Sequence, residues 1–253
     1  MDVSCSTFCF TKEPFEHALR HIAELEFSKV DLGVSDEGTH LTPNDVLNDA
    51  AGVQHRIRQG PTIGFSGIAL RTAKTGDEFL QVLDATAHLA KQIFAPIVTF
   101  EAGPSGSSMI DQKNWLTQCV RTVSIHGVQP VIRTKVGTVA EMPTFAMQLC
   151  EQVEGLNLAL DATHFHWGPN QGESYEHVYP FVRHVFLCDS GKKADLRQVK
   201  VGRGEIEYGK IVSSLEQRGY NGALVVAIED SIPSDMDTEA EVRKLRLLLE
   251  SLL

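Results

Sequence analysis

The sequence has no hydrophobic run long enough to cross a membrane. No stretch approaches the roughly 20 apolar residues that a spanning helix needs. The segment Met1–Cys5 lacks the basic start and long apolar core of a secretory signal peptide. We therefore expect a cytoplasmic protein with no membrane partner.

Positive charge and cysteine are both scarce. The chain has 33 acidic and 23 basic residues, a formal net charge of -10 at pH 7. Its densest basic run, Lys192-Lys193, is short and soon followed by Asp195. Such a surface repels phosphate backbones, so nucleic acid is not an expected partner. The 5 cysteines are scattered, which indicates reduced thiols instead of a disulfide framework.

Nucleotide-binding motifs are also missing. A dinucleotide-binding fold requires GxGxxG directly after an early strand, but the predicted first loop, Thr11–Pro14, contains no glycine. The sequence has no GxxxxGK[ST] phosphate loop either. These absences argue against a doubly wound nucleotide-binding sheet, the main alternative for a chain that alternates strands and helices.

Short apolar runs alternate with amphipathic helical patterns eight times along the chain. The predicted strands are Val3–Phe10, Phe27–Val34, Thr62–Leu70, Ala95–Glu101, Val128–Thr134, Leu156–Asp161, His184–Asp189 and Ala223–Glu229. The predicted helices begin near Pro14 and then span Pro43–Arg58, Asp77–Ile93, Ile110–His126, Pro143–Val153, Tyr175–Val182, Tyr208–Arg218 and Glu239–Leu253. Eight consecutive strand–helix units predict a single (β/α)8 TIM barrel, one domain over residues 1–253.

In such a barrel, functional side chains come from the C-terminal ends of the strands. Asp161 ends an apolar run, and His164 follows three positions later. The pair suits a shared divalent cation, or a base with its orienting group. The structural alternative is that Asp161 caps the turn while His164 packs beneath the loop.

Glu101 and Glu229 each terminate a predicted buried strand. A buried carboxylate is costly unless it is paired, protonated or bound to metal. The structural alternative is a salt bridge at the barrel rim, for example with Arg133 or Arg203. In the loop after the seventh strand, Gly202 and Gly204 flank Arg203, which is predicted to reach a polyhydroxyl or anionic ligand over the mouth. The structural alternative is a solvated loop arginine.

Three segments carry a family resemblance: Leu158–Phe165 (LALDATHF), Arg183–Asp189 (RHVFLCD), and a third that runs from Val201–Tyr208 (VGRGEIEY) through Gly219–Gly222 (GYNG) to Ile228–Glu229. With the other strand ends, they resemble the xylose-isomerase-like barrels. That superfamily includes sugar and sugar-phosphate isomerases and epimerases, and endonuclease IV-like repair enzymes. The resemblance implies a sugar or sugar-phosphate substrate and a divalent cation such as Mn, Mg, Co or Zn.

The implied metal ligands are a Glu, an Asp, a His and a Glu from strands five to eight. Asp161 and Glu229 match two of them, and His164 matches a substrate-contacting histidine of the family. Arg133 stands where the first Glu is expected, and Phe186 where the His is expected. His184 lies one pleat deeper on the same side of its strand.

These departures leave two hypotheses about the cofactor. Either a divalent cation binds Asp161 and Glu229 through an incomplete ligand set, or the Arg133 guanidinium replaces it by pairing with one of these carboxylates. The predicted function is a sugar isomerase or epimerase in which Glu229 and Asp161 move protons.

We predict that the substrate contacts are His164, Arg133, Arg203 and Glu101. A non-catalytic carbohydrate-binding barrel is the alternative. A repair endonuclease ranks last, because the histidine-rich zinc cluster and the basic groove are missing. Self-association into a homo-oligomer stays open.

Overall fold

Eight parallel strands close into a barrel in the computed structural model, which describes residues 1–38, 40–232 and 236–253. The strands follow one another around the barrel in chain order, and the last pairs with the first. They are β1 (Asp2–Ser6), β2 (Lys29–Ser35), β3 (Gly64–Arg71), β4 (Ile97–Phe100), β5 (Gln129–Arg133), β6 (Asn157–Asp161), β7 (Val182–Leu187) and β8 (Ala223–Val226). The predicted (β/α)8 TIM barrel is confirmed.

Helices cover the outside of the barrel. In the described residues they are α1 (Phe15–Glu24), α2 (Pro43–Asn48), α3 (Ala50–Arg58), α4 (Gly76–Gln92), α5 (Met109–Ser124), α6 (Pro143–Gln152), α7 (Ala162–Trp167), α8 (Tyr208–Glu216) and α9 (Thr238–Glu250). In α1 the buried residues are Phe15, Ala18, Leu19 and Ile22, the spacing of one helix face turned to the sheet. No helix of the described part of the chain is long and apolar enough to span a bilayer.

The prediction of a helix at Tyr175–Val182, after the sixth strand, was wrong. The structure has α7 directly after β6, because the Asp161 side chain caps it by accepting a hydrogen bond from Thr163 N. The predicted segment Tyr175–Val182 holds only a 3-10 helix, Glu176–Phe181. Pro180 lies inside it and lacks the N–H that a longer α-helix would use.

Among the predicted boundaries that shift, two do so because a polar side chain ends the element early. Ser6 ends β1 by capping a 3-10 helix, Thr7–Phe10, that was predicted as strand. Asp49 divides the predicted second helix into α2 and α3 by accepting a hydrogen bond from Gly52 N at 3.0 Å. The last strand ends at Val226, before Glu229.

The barrel interior is filled by an apolar cluster that is separate from the larger core between sheet and helices. Its members are Phe8, Ala69, Ile97, Val131, Ala159, Phe186, Ala223, Val225 and Ala227. Polar side chains lie on either side of this plug. Those at the C-terminal ends of the strands surround the mouth, where barrel proteins hold their ligands.

Candidate functional site

A cavity of about 440 Å³ opens at the C-terminal mouth of the barrel. Charged, aromatic and polar side chains from several strand ends and loops line it: Glu37, Arg71, Arg133, Lys135, Asp161, Thr163, His164, Trp167, Cys188, Arg197, Gln198, Glu229 and Ser231. The structure brings together four predicted site residues here, namely Arg133, Asp161, His164 and Glu229. The volume of the cavity and the polar groups that line it suit a small polar ligand.

Asp161 at the end of β6 is held by Arg133 at the end of β5. Its Oδ2 accepts hydrogen bonds from Arg133 Nη2 at 2.6 Å and Nε at 3.1 Å. Its Oδ1 accepts from the Thr163 hydroxyl at 2.6 Å. Both carboxylate oxygens of Asp161 therefore accept hydrogen bonds. The pair is buried, with the Arg133 side chain 9% and the Asp161 side chain 4% exposed.

Glu229 is paired with Arg71, a residue that the sequence reasoning missed. Arg71 Nη2 donates to Glu229 Oε1 at 2.7 Å, and Arg133 Nη2 lies 3.7 Å from the same oxygen. The Gln198 side chain fixes the Glu229 backbone, accepting from its N–H at 2.8 Å and donating to its carbonyl at 3.0 Å. Of the two carboxylate oxygens, Oε2 receives no hydrogen bond from the described residues.

Each guanidinium lies over an aromatic ring of the interior plug. Arg133 is 4.7 Å from the ring centroid of Phe186, and Arg71 is 3.9 Å from that of Phe8. A Cβ at Gly33 would come within 2.6 Å of the Phe8 ring, so this glycine makes room for it. Cation–π contacts of this kind favour arginine. The two departures from the family pattern, Arg133 and Phe186, thus form one contact.

The two guanidiniums keep the mouth carboxylates ionised. Burial opposes ionisation of Glu229, but the charges of Arg71 and Arg133 outweigh it and lower its pKa to about 2. The pKa of Asp161 is also lowered, because Arg133 outweighs burial there. The pKa of Arg133 is raised by both carboxylates.

His164 is a neutral imidazole at neutral pH. Burial lowers its pKa to about 4 despite the nearby charge of Asp161. Its Nδ1 accepts a hydrogen bond from Val136 N at 3.3 Å, so the ring proton belongs on Nε2. That atom lies 3.6 Å from Asp161 Oδ2, and the residue lines the cavity. His164 is therefore available as a hydrogen-bond donor.

The side chains of the mouth do not fit a catalytic divalent cation. In the described residues no group of three or more His, Cys, Asp or Glu side chains is arranged to hold a metal. The two candidate ligands, Asp161 and Glu229, already bind guanidiniums, which would repel a cation. His184 does not reach the mouth. It is fully buried and its Nε2 lies 2.8 Å from Asp31 Oδ2.

Two predicted substrate contacts do not line the mouth cavity. Glu101 forms a salt bridge at the barrel rim, as the structural alternative predicted. Its partner is Lys135, in place of Arg133 or Arg203. Arg203 is exposed on the loop between β7 and α8 and is outside the cavity lining. From the same loop, Arg197 and Gln198 reach the cavity instead.

The loop is held in place by the buried carboxylate of Asp189. It accepts hydrogen bonds from the backbone N–H groups of Gly202 at 2.7 Å, Gly204 at 3.0 Å and Ile206 at 3.4 Å. A side chain at Gly204 would clash with this carboxylate. The two glycines therefore allow the loop to be anchored on Asp189. The sequence instead predicted that they bring Arg203 to the ligand.

The fold and mouth define a TIM-barrel protein with a polar small-molecule cavity at the usual end of the barrel. The family model for xylose isomerase-like TIM barrels matches residues 50–249. The chain therefore belongs to the xylose isomerase-like TIM barrel family. A search of curated proteins found no match.

Several solved structures share the fold at low sequence identity. A D-allulose 3-epimerase from Methylomonas sp. is 10% identical, with a TM-score of 0.76 over 100% of this chain and 98% of that one. A 3-keto-D-glucoside 4-epimerase from E. coli is 12% identical, with a TM-score of 0.74 over 99% of each chain. A Mycobacterium smegmatis family member in complex with magnesium is 15% identical, with a TM-score of 0.77 over 100% and 98%. At such identities the likeness establishes the fold alone.

Proposed function

We propose that this protein is a sugar isomerase or epimerase that works without a divalent cation at Asp161 and Glu229. The substrate is a small polyhydroxy ketone or aldehyde, as a free sugar or a sugar phosphate. One observation carries the proposal: each of these two carboxylates is held by a guanidinium, from Arg133 and Arg71. The epimerases among the structural neighbours support the class of substrate.

In the proposed reaction the guanidiniums polarise the substrate. Arg71 and Arg133 donate hydrogen bonds to the carbonyl and neighbouring hydroxyl oxygens, where negative charge develops as a carbon-bound proton leaves. The neutral His164 donates a further hydrogen bond from Nε2. The side chains of Asp161 and Arg133 are almost fully buried, and surroundings of low dielectric constant strengthen such hydrogen bonds.

Glu229 is the proposed acid–base group because its Oε2 has no hydrogen-bond donor among the described residues. A substrate oxygen that takes over a hydrogen bond from Arg71 weakens the pairing that lowers the Glu229 pKa, so the carboxylate becomes a stronger base. It accepts the proton from carbon and leaves an enediolate, whose negative charge Arg71 and Arg133 stabilise. Return of the proton to the neighbouring carbon, with the hydroxyl proton passing to the former carbonyl oxygen, gives isomerisation. Delivery of a proton to the opposite face gives epimerisation, and Asp161 is the proposed second acid–base group, which can hold a proton only once the substrate takes over its hydrogen bonds from Arg133.

A binding protein without turnover is the second candidate, and the carboxylate pKa values favour it. A base with a pKa near 2 accepts a carbon-bound proton poorly unless binding raises that value. In this alternative the mouth holds a sugar through the same arginines and His164 but exchanges no proton.

Solvent-proton exchange tests the proposal directly. The protein, treated with EDTA, is incubated in D2O with D-fructose, D-tagatose, D-allulose and their 6-phosphates, and deuterium on carbon is followed by NMR. We expect exchange that persists in chelator, is abolished in E229Q and is unchanged in the surface control E216Q. Exchange that appears only after MnCl2 is added would overturn the metal-free proposal. Saturation-transfer signals without exchange would select the binding protein.

The buried free thiols support a further part of the proposal, a reducing compartment such as the cytoplasm. The net charge of -10 likewise supports a small-molecule partner over nucleic acid.

A further inference from the structure

A second cavity of about 370 Å³ lies beside the mouth, under the loops that follow β3 and β4. Phe79 of α4 and Trp115 of α5 line it on the side of the helices, and Glu101 lines it on the side of the barrel. Thr72 and Gln112 add a hydroxyl and an amide. Its size and its mixture of aromatic and polar groups are typical of small-molecule sites.

The wall of this cavity is aromatic. The rings of Phe79 and Trp115 are 5.6 Å apart between centroids and inclined at 51°. Phe100 supports Phe79 from the core, in an edge-on contact at 6.1 Å. Because the face of an aromatic ring carries partial negative charge, it attracts the slightly positive C–H groups on the flat side of a pyranose. Such a wall therefore suits a sugar ring.

Polar groups surround this wall in a way that suits the hydroxyls of a sugar. The Glu101 carboxylate accepts hydrogen bonds, and Gln112 uses its Oε1 to accept from Gly103 N at 2.9 Å, which leaves its amide N–H group as a donor. A side chain at Gly103 would clash with Gln112, so the glycine is needed for this arrangement. The cavity has both acceptors and donors for an uncharged polyhydroxyl ligand.

One ion pair joins the two cavities. Lys135 lines the mouth, Glu101 lines the second cavity, and the two side chains are bonded to each other. A ligand that extends from one cavity to the other would meet this pair midway, where the ammonium offers donors and the carboxylate offers acceptors. The cavity at the opposite end of the barrel, lined by Lys29, Arg183 and Tyr220, has no such link to the mouth.

We infer that the second cavity is a sugar subsite, which holds the pyranosyl ring of a glycoside whose ketose part lies in the mouth. The substrate is then a disaccharide or other glycoside, and the Phe79–Trp115 wall selects it over a free monosaccharide. This inference rests on the proposed function, because it places the reacting ketose between Arg71 and Arg133.

The two tryptophans of the chain provide a test, since Trp115 lines the second cavity and Trp167 lines the mouth. W167F leaves Trp115 as the reporter of the second cavity, and W115F leaves Trp167 as the reporter of the mouth. Fluorescence of each variant is titrated with lactulose, maltulose and D-fructose. We expect at least one disaccharide to change the fluorescence of both reporters, and fructose to change that of Trp167 alone.

The outcomes separate the two proposals. If disaccharides change the fluorescence of Trp167 but not that of Trp115, the proposed subsite is wrong, while sugar binding in the mouth is supported. If no sugar changes Trp167, the proposed function fails, and the spanning ligand fails with it. As an independent measurement, W115A should weaken disaccharide binding about tenfold without affecting fructose. F145A, at an exposed phenylalanine of α6, is the matched control. Thermal unfolding of each variant identifies any loss of folding.

Discussion

Two layers of the barrel interior each pair an acid with a base, but they differ in access. Asp161 and Arg133 border the mouth cavity, whereas Asp31 and His184 are fully buried below it. Phe186 contacts both layers, 4.7 Å from Arg133 and 5.0 Å from the His184 ring. The mouth pair is placed where a ligand can compete for its hydrogen bonds. The deep pair is closed off, and we interpret it as structural.

The deep pair also has unused hydrogen-bonding capacity. Asp31 Oδ1 and His184 Nδ1 have no partner among the described residues. A Cβ at Gly67 would lie 2.9 Å from Asp31 Oδ2, so the glycine gives this carboxylate its space. Since neither side chain reaches solvent, removal of one leaves the other without a hydrogen-bond partner or water to replace it.

The largest effect is therefore expected from H184L. It leaves the Asp31 carboxylate buried and unpaired, which should lower the free energy of unfolding by about 3–5 kcal/mol. Urea denaturation measures the change. D31N/H184L should recover part of it, because no charge then stays buried. A cost below about 1 kcal/mol would mean that water reaches Asp31 and that the two layers do not differ in access.

R133M tests the mouth pair in the same assay. We expect a smaller cost, about 2 kcal/mol, because Asp161 keeps its hydrogen bonds from Thr163 and borders the cavity, where water can replace the guanidinium. D161N/R133M is the matched double variant. A cost equal to that of H184L would remove the contrast between the layers.

His164 gives the mouth a pH dependence of stability. Burial depresses its folded pKa from 6.5 to about 4, so between these values the unfolded chain binds a proton that the folded protein does not. The neutral His164 therefore favours the folded state fully above the pKa of 6.5 in the unfolded chain. This part of the free energy of unfolding is lost as the pH falls towards the pKa of about 4 in the folded protein.

H164Q should therefore lose less stability than the parent protein between about pH 7 and pH 5, by about 2 kcal/mol. Denaturant unfolding at the two pH values checks this. H17Q, at an exposed position on α1, should behave like the parent. Equal pH dependence in H164Q and the parent would contradict a buried neutral imidazole.

The smallest effects separate two arginines of one loop. Arg197 lines the mouth and Arg203 does not. We expect R197A to weaken binding of the exchanging ketose by about five- to tenfold, and R203A by less than about twofold. Isothermal titration with both variants measures the difference. A larger loss in R203A would restore the sequence-based assignment.

The fold was predictable from the sequence because hydrophobic periodicity reports which faces are buried. Element ends were less predictable, because single polar side chains such as Ser6, Asp49 and Asp161 decide them through local hydrogen bonds. The helix expected at Tyr175–Val182 failed for the same reason: a cap at Asp161 starts a helix earlier, and Pro180 limits the later segment to a 3-10 turn.

The mouth was predicted in part. Arg133, Asp161, His164 and Glu229 meet there, as strand-end reasoning indicated. Arg71 was missed because the predicted third strand stopped at Leu70, although an arginine that ends a buried run carries the same signal as Glu229 did. Which loop side chain reaches the mouth depends on long-range contacts of Asp189 and Gln198, and spacing along the chain does not encode these.

We propose that Arg71 and Arg133 occupy the place of a divalent cation. Anomalous diffraction from crystals soaked in MnCl2 tests this, with R133E/F186H as the positive control that restores the family's ligand pattern. We predict no manganese peak between Asp161 and Glu229 in the parent protein and a clear peak in the double variant. A fully occupied manganese ion on Asp161 and Glu229 of the parent protein would show that the two guanidiniums do not replace the cation.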